Sequence, residues 1–253
     1  MFNNAMVRRP GSSLVKGITS ANLGKPDYER ALEQHDKYIE ALKSCGVQVT
    51  VLEPAERFPD SVFVEDAAVL TEKCAVITNP GAPSRRGEEI SIKEALKSFY
   101  SCIETISAPG TLDGGDIMRV ENHFYIGLSA RTNEAGAGQL ANILNKYGYT
   151  VSKVKMEKFL HLKSGLAYLE NNNLLVAGEF IHHQEFEKFN RIIVREPEGY
   201  AANCIWVNDV VLVPLGFPKT KAAVERAGYN VLTVDVSEFR KLDGGLSCLS
   251  LRF

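Results

Sequence analysis

Cysteine pairs are missing from this chain. Its five cysteines, Cys45, Cys74, Cys102, Cys204 and Cys248, are odd in number and lie far apart, without a Cys-X-X-Cys motif. Such spacing suggests neither a disulfide framework nor a tetrahedral zinc site, and reduced thiols in a cytosol are expected. Long apolar runs are missing too. No window approaches the roughly 18 continuous apolar residues of a membrane helix, and residues 1–10 lack the apolar run of a secretory signal. Membrane insertion and secretion are therefore disfavoured, and the expected location is cytoplasmic. Charge of one sign is not in excess: 29 Lys and Arg face 31 Asp and Glu, a net charge of −2. A surface for nucleic acid or anionic lipid needs a basic excess, so the expected partner is a small molecule, with no nucleic acid and no membrane.

What remains is an ordinary globular composition, 45% hydrophobic and 24% charged. It should fold as one domain over residues 1–253 without staples. A short strand at 5–8 leads into a Gly/Ser/Lys-rich loop at 11–25, readable as an ordered edge or a movable lid. Tyr28, Ala31, Leu32, His35, Tyr38, Ile39 and Leu42 then recur at helical spacing and predict an amphipathic helix over 28–44, stopped near Gly46. Val47, Val49 and Val51 alternate as a strand. His35, His123, His182 and His183 are expected on helix or turn surfaces, with structural roles.

A pattern of hairpin, helix and strand then repeats. The strand pairs are predicted at 67–70 and 74–78, 116–120 and 123–126, 166–169 and 174–177, and 204–207 and 210–213. Helices follow at 87–100, 133–147, 184–189 and 219–227, and closing strands at 103–106, 149–154, 192–194 and 229–234. One strand at 248–252 is left over, as is the opening strand, helix and strand. Joining them makes a fifth unit and closes a ring, so the expected fold is a five-bladed α/β propeller, with an open mixed α/β sheet as the alternative.

Polar clusters stand at one place in each unit, the loop entering the hairpin. These are Phe58-Pro59-Asp60-Ser61-Val62-Phe63-Val64-Glu65-Asp66, Leu112-Asp113-Gly114-Gly115-Asp116, Leu160-His161-Leu162-Lys163-Ser164-Gly165, Ala201-Ala202-Asn203-Cys204 and Leu242-Asp243-Gly244-Gly245-Leu246-Ser247-Cys248. In a radial array these loops converge on the axis. Cys248 alone reads first as a buried structural cysteine. Placed with His161 and Asp113, it gains the imidazole and carboxylate that a thiol nucleophile needs. An excess of carboxylates suits a cation, and Asp66 or Asp243 can each take two hydrogen bonds from a planar guanidinium. A carboxylate on the same substrate would require arginine, for which Arg85, Arg86 and Arg131 stand after second hairpin strands.

Together with Leu128-Ser129-Ala130-Arg131-Thr132-Asn133, these motifs resemble, essentially end to end, the dimethylarginine dimethylaminohydrolase family of the guanidine-modifying pentein superfamily. The resemblance implies a five-bladed α/β propeller and hydrolysis of Nω-methylated arginines to citrulline through a covalent thiouronium on cysteine. It implies no metal and no organic cofactor. By the same likeness Cys248 is the nucleophile, His161 the general acid and base, and Asp113 its supporting carboxylate. Asp66 would bind the guanidinium, with Asp243 near the reacting end and Glu65 supporting the pocket. Asp60, Arg85 and Arg131 would hold the amino-acid end, and Ile18 would supply a backbone contact. Other activities on this scaffold, arginine deiminase, citrulline hydrolase or amidinotransferase, remain open, as do a non-catalytic macromolecule-binding propeller and the question of a homodimer.

Overall fold

A computed structural model describes residues 1–253. The chain opens with β1 (Asn4–Arg8), α1 (Tyr28–Ser44) and β2 (Gln48–Leu52). The first internal unit is β3 (Ala68–Leu70), β4 (Ala75–Ile77), α2 (Glu89–Leu96) and β5 (Ile103–Thr105). It is followed by β6 (Ile117–Val120), β7 (His123–Leu128), α3 (Glu134–Lys146) and β8 (Thr150–Lys155). Next come β9 (Leu166–Tyr168), β10 (Asn173–Ala177) and β11 (Asn190–Val194). The last full unit is β12 (Ile205–Val207), β13 (Val210–Pro214), α4 (Pro218–Arg226) and β14 (Asn230–Val234). A short α5 (Ser237–Arg240) and β15 (Leu251–Arg252) finish the chain.

Each internal unit forms its own three-stranded sheet: an antiparallel hairpin, then a parallel third strand reached by a crossover. The fifth sheet has the same pattern but draws on both ends of the chain. β15 runs antiparallel to β1, with Ala5 opposite Arg252, and β1 runs parallel to β2. The five small sheets thus fit a pseudo-fivefold repeat.

Local chemistry explains the elements. A middle strand covered on both faces reads as a continuous apolar run; Leu174, Leu175, Val176 and Ala177 of β10 are all fully buried. The β12–β13 turn places Asn208 and Asp209 both at positive φ, the backbone that a tight two-residue hairpin requires and that Asn and Asp tolerate. At α1, Asp27 accepts from Arg30 N at 3.1 Å, and at α3 Asn133 accepts from Gly136 N at 2.8 Å, each satisfying a free amide of the first turn. Buried Tyr38 of α1 donates to Leu246 O (2.9 Å) and pairs with Ser250 Oγ (2.7 Å). The first helix thereby pins the segment around Cys248.

Three expectations are corrected. The stretch 184–189 forms no α-helix: Gly178–His182 and Gln184–Phe186 are short 3-10 turns. Phe180 and Phe186, buried against each other, fill the space a helix would cover. Cys248 is not on a strand but in a 3-10 turn, Ser247–Leu249, ahead of β15. His35 is not at a surface; it is fully buried on the inner face of α1 near Phe239, and neither ring nitrogen has a partner. Burial drives its pKa down to about 4, so it packs as a neutral ring.

Candidate active site

One 3-10 turn precedes the first hairpin strand of every unit: Val64–Ala67, Gly114–Asp116, Leu162–Ser164, Gly199–Ala202 and Ser247–Leu249. Neighbouring turns are tied by hydrogen bonds. Gly115 N donates to Asp66 Oδ1 (2.9 Å), and Leu162 N to Asp116 Oδ1 (3.0 Å). Ser247 N donates to Asn203 Oδ1 (2.9 Å), and Ser247 Oγ to Glu65 Oε2 (2.9 Å). The turn at 162–164 packs on that at 199–202. Residues nearly two hundred positions apart are therefore joined side by side.

His161 Nε2 lies 3.1 Å from Asp113 Oδ2 and 4.0 Å from Asp66 Oδ1. Asp113 is held for this contact by its other oxygen, which accepts from Gly81 N at 2.8 Å, and by its own amide, which donates to Thr132 Oγ1 at 3.1 Å. Burial alone would lower the His161 pKa. Asp66, the Asp113 hydrogen bond and Asp116 outweigh it and raise the value to about 9, so the ring is an imidazolium at neutral pH. Gly115 makes this packing feasible, since a Cβ there would stand 2.7 Å from His161 Nδ1 and 2.8 Å from Asp66 Oδ1.

Cys248 is buried, with Gly245 N 3.4 Å and Ser247 Oγ 3.9 Å from its sulfur, and it makes no hydrogen bond to His161. Burial, then the charges of Glu65 and Asp66, push the thiol pKa up to about 12. Asp66 thus faces both the sulfur and the imidazole. Its own carboxyl, which burial would raise, is held below the usual range by His161 and Arg85.

The other expected residues divide. Asp60 Oδ1 accepts from Ile18 N at 2.9 Å, fixing the loop after Gly17 against the turn at 58–63. Burial raises the Asp60 pKa, opposed by Arg85, the Ile18 amide and Arg131. The Arg131 guanidinium thus faces Asp60 and has no ion-pair partner; only its backbone amide is engaged, by Ser129 Oγ at 3.0 Å. Asp243, at φ 60°, accepts through Oδ2 from Ser20 N (2.5 Å) and Ser20 Oγ (3.0 Å), so it latches the same loop.

Two of the expected residues are tied to other side chains of the protein. Arg85 is buried, with Nη1 on Asp66 Oδ2 (2.5 Å), Nε and Nη2 on Glu88 Oε1 (3.0 and 2.5 Å) and Nη2 on Phe63 O (3.0 Å). A buried cation must be paired on every side, and Glu88 completes the set. Glu65 is held in the same way: Lys163 Nζ sits 2.6 Å from its Oε1, and Ser247 Oγ donates to its Oε2 at 2.9 Å. Glu88 and Lys163 were therefore unassigned members of the site. Their signals are positional, Glu88 three residues after Arg85 and Lys163 two after His161.

Asp66, Asp113 and His161 offer ligand atoms within 4.8 Å of one another, close enough to hold a metal ion. A ligating histidine must be neutral, and the raised pKa of His161 works against that. The same geometry suits an organic cation held between carboxylates.

A buried thiol, an imidazolium on a carboxylate and a second carboxylate facing both, set on the shared turns of a pseudo-fivefold α/β fold, define a cysteine hydrolase of the pentein class. A family profile described as N,N dimethylarginine dimethylhydrolase, eukaryotic, matches residues 21–197. The N(G),N(G)-dimethylarginine dimethylaminohydrolase of Pseudomonas aeruginosa is 58% identical over 254 residues, covering 100% of both chains. That of Streptomyces coelicolor is 37% identical, covering 98% of this chain and 96% of the relative. A crystal structure of the Pseudomonas aeruginosa enzyme, as a cysteine-to-serine mutant complexed with citrulline, matches with a TM-score of 0.99 at 58% identity over 100% of both chains. The N-terminal domain of ArgZ, an arginine dihydrolase from cyanobacteria, shares the fold at 22% identity, with a TM-score of 0.90 over 100% of this chain and 97% of that one. This chain belongs to the dimethylarginine dimethylaminohydrolase family.

Proposed function

We propose that the chain hydrolyses Nω-methylated arginines, asymmetric dimethylarginine and monomethylarginine, to citrulline and dimethylamine or methylamine. The observation that carries this reading is Asp66, set 4.0 Å from His161 Nε2 and within electrostatic reach of Cys248. A guanidinium held on Asp66 lies between nucleophile and acid.

The thiol is neutral before substrate binds, since burial and two carboxylates oppose its ionisation. A bound guanidinium brings a positive charge to the same carboxylates and removes that opposition, so substrate favours the thiolate; the thiol proton leaves to solvent, because His161 already carries its own. Sulfur then adds to the guanidinium carbon. The bond from that carbon to the methylated nitrogen breaks, the nitrogen keeps the electron pair, and it takes a proton from His161. A thiouronium remains on Cys248. The neutral imidazole next accepts a proton from water, whose oxygen adds to the carbon. The C–S bond breaks with the electron pair going to sulfur, the hydroxyl proton passes to solvent, and citrulline and the thiolate are released. Asp113 keeps the ring oriented through both steps.

Around this centre, Arg131 and Asp60 take the carboxylate and ammonium of the amino acid, and Ile18 adds a backbone contact. Asp243 acts through the loop it latches. Arg85 and Glu88 hold Asp66 in place from below. The five sheets close as a propeller in one domain over 1–253, acting in the cytoplasm; a homodimer is the assembly to test by sedimentation.

Cys248→Ser is expected to lower turnover by at least about a thousandfold with an unchanged circular dichroism spectrum. Turnover equal to that of the unaltered chain would remove Cys248 from the mechanism. Incubation with arginine, monomethylarginine, asymmetric dimethylarginine and citrulline tests the substrate. Methylamines with citrulline are expected; ammonia from arginine, or transfer to an acceptor amine, would mark a deiminase or an amidinotransferase instead.

A further inference from the structure

A cavity of about 660 Å³ opens behind the catalytic turns, at the far ends of the inner strands. Cys248, His161, Asp66 and Asp113 do not line it, and Trp206, Tyr168 and Phe253 do. Its floor is Glu65, Lys163 and Arg252. Glu65 Oε1 lies 2.6 Å from Lys163 Nζ and 3.7 Å from Arg252 Nη2, while Oε2 is taken by Ser247. Two cations thus share one carboxylate, which leaves the floor with a positive charge in excess. Arg252 Nε is buried and has no hydrogen-bond partner. The other charged lining residues are Arg119, paired with Glu72 at 2.8 Å, and the carboxylates Glu121 and Glu170, which make no ion pair.

We propose that this rear cavity binds a small monocarboxylate with an aromatic or branched aliphatic body, its carboxylate on Arg252 and Lys163 and its body between the aromatic walls. The size falls within the range of about 300–1,000 Å³ usual for ligand sites, and an apolar lining with a few convergent polar groups is their usual make-up. Arginine is the side chain best matched to a carboxylate. The unpaired carboxylates Glu121 and Glu170 on the same lining disfavour a second negative charge on the ligand. This site shares the Glu65–Lys163 pair with the catalytic turns but none of the reacting side chains, and it stands or falls without the methylarginine reading.

Trp206 is the only tryptophan in the chain and lines this cavity; it also borders a polar depression with Asn171, Asp209 and Asn230, so loss of the response in Arg252→Gln is what assigns it to the cavity. The probe is phenylacetate, compared with neutral phenylacetamide and the dianion benzylmalonate. The expected result is a saturable change in tryptophan emission with phenylacetate, at least tenfold weaker for the amide and the dianion. It should persist in Cys248→Ser and under saturating citrulline, and weaken at least tenfold in Arg252→Gln. No saturable change, an equal response to the amide, or displacement by citrulline would overturn the proposal. Should Arg252→Gln fail to fold, the acid-against-amide comparison on the unaltered chain decides.

Discussion

Asp66 faces two cations in the resting protein, Arg85 on one oxygen and His161 near the other. A substrate guanidinium would be the third. The consequence for His161 is a pKa raised to about 9, against about 6.5 for a free imidazole. The sign follows from linkage: a raised histidine contributes stability in full below about pH 6.5, and that contribution is lost as pH climbs through about 9. The midpoint of urea unfolding is therefore expected to fall between pH 6.5 and 9.5 by the equivalent of a few kcal/mol on the order of the shift, and a His161→Gln chain should lose most of that slope. A flat profile in the unaltered chain would show that the imidazole is neutral at rest. At this scale the sequence was informative where chemistry repeats. Cys248, His161 and Asp113 were readable because a thiol, an imidazole and a carboxylate fell at equivalent places in successive units. The partners of Arg85 and Glu65 were not readable, since depth below a pit depends on packing and leaves no periodic trace.

The loop after Gly17 is held against the turns at 58–63 and 241–243 by a few hydrogen bonds. Ile18 N is held by Asp60, Ser20 by Asp243, and Thr19 Oγ1 donates to Lys241 O at 2.7 Å. Residues 19–20 and 22–25 are otherwise exposed and carry few contacts, so the anchors set the order of the loop. Asp243→Ala removes two of them. It is expected to raise KM several-fold and to speed proteolysis between 19 and 25, with little change in the unfolding midpoint. Unchanged KM and cleavage rate would mean that the Asp60 and Lys241 anchors suffice to fix the loop. Hairpins and helices were legible through alternation, turn residues and caps. The helix expected at 184–189 failed because closely spaced aromatics, Phe180, Phe186 and Phe189, pack as a cluster in 3-10 turns and strand edges. Helical spacing over six residues cannot separate those outcomes. Cys248 was placed on a strand for a similar reason, as alternating Leu249 and Leu251 continue inward from a turn.

For the molecule as a whole, the joint between β1 and β15 is the shortest seam. Ala5 and Met6 pair with Arg252 and Leu251, and Phe253 O accepts from Asn3 N and Asn4 N. The Phe253 ring meets Phe99 at 5.0 Å and Tyr100 at 5.6 Å. Removing residues 251–253 discards one buried leucine and an aromatic anchor, and should cost at least about 3 kcal/mol. A single cooperative transition, seen alike by near- and far-ultraviolet circular dichroism, is expected at lower urea. A separate early transition confined to the first helix would show that the seam is not shared by the other sheets. The pairing of the two ends was legible because the repeat left half a unit at each end.

The five linked turns also bear on how the protein would wear out. Each sheet lends only one bend to the catalytic centre, so none holds a working fragment, and a brief opening of any one sheet takes a member of the set away. Heat inactivation should then follow the least durable sheet rather than the average of all five, and strengthening the other four would lengthen the enzyme's working life hardly at all.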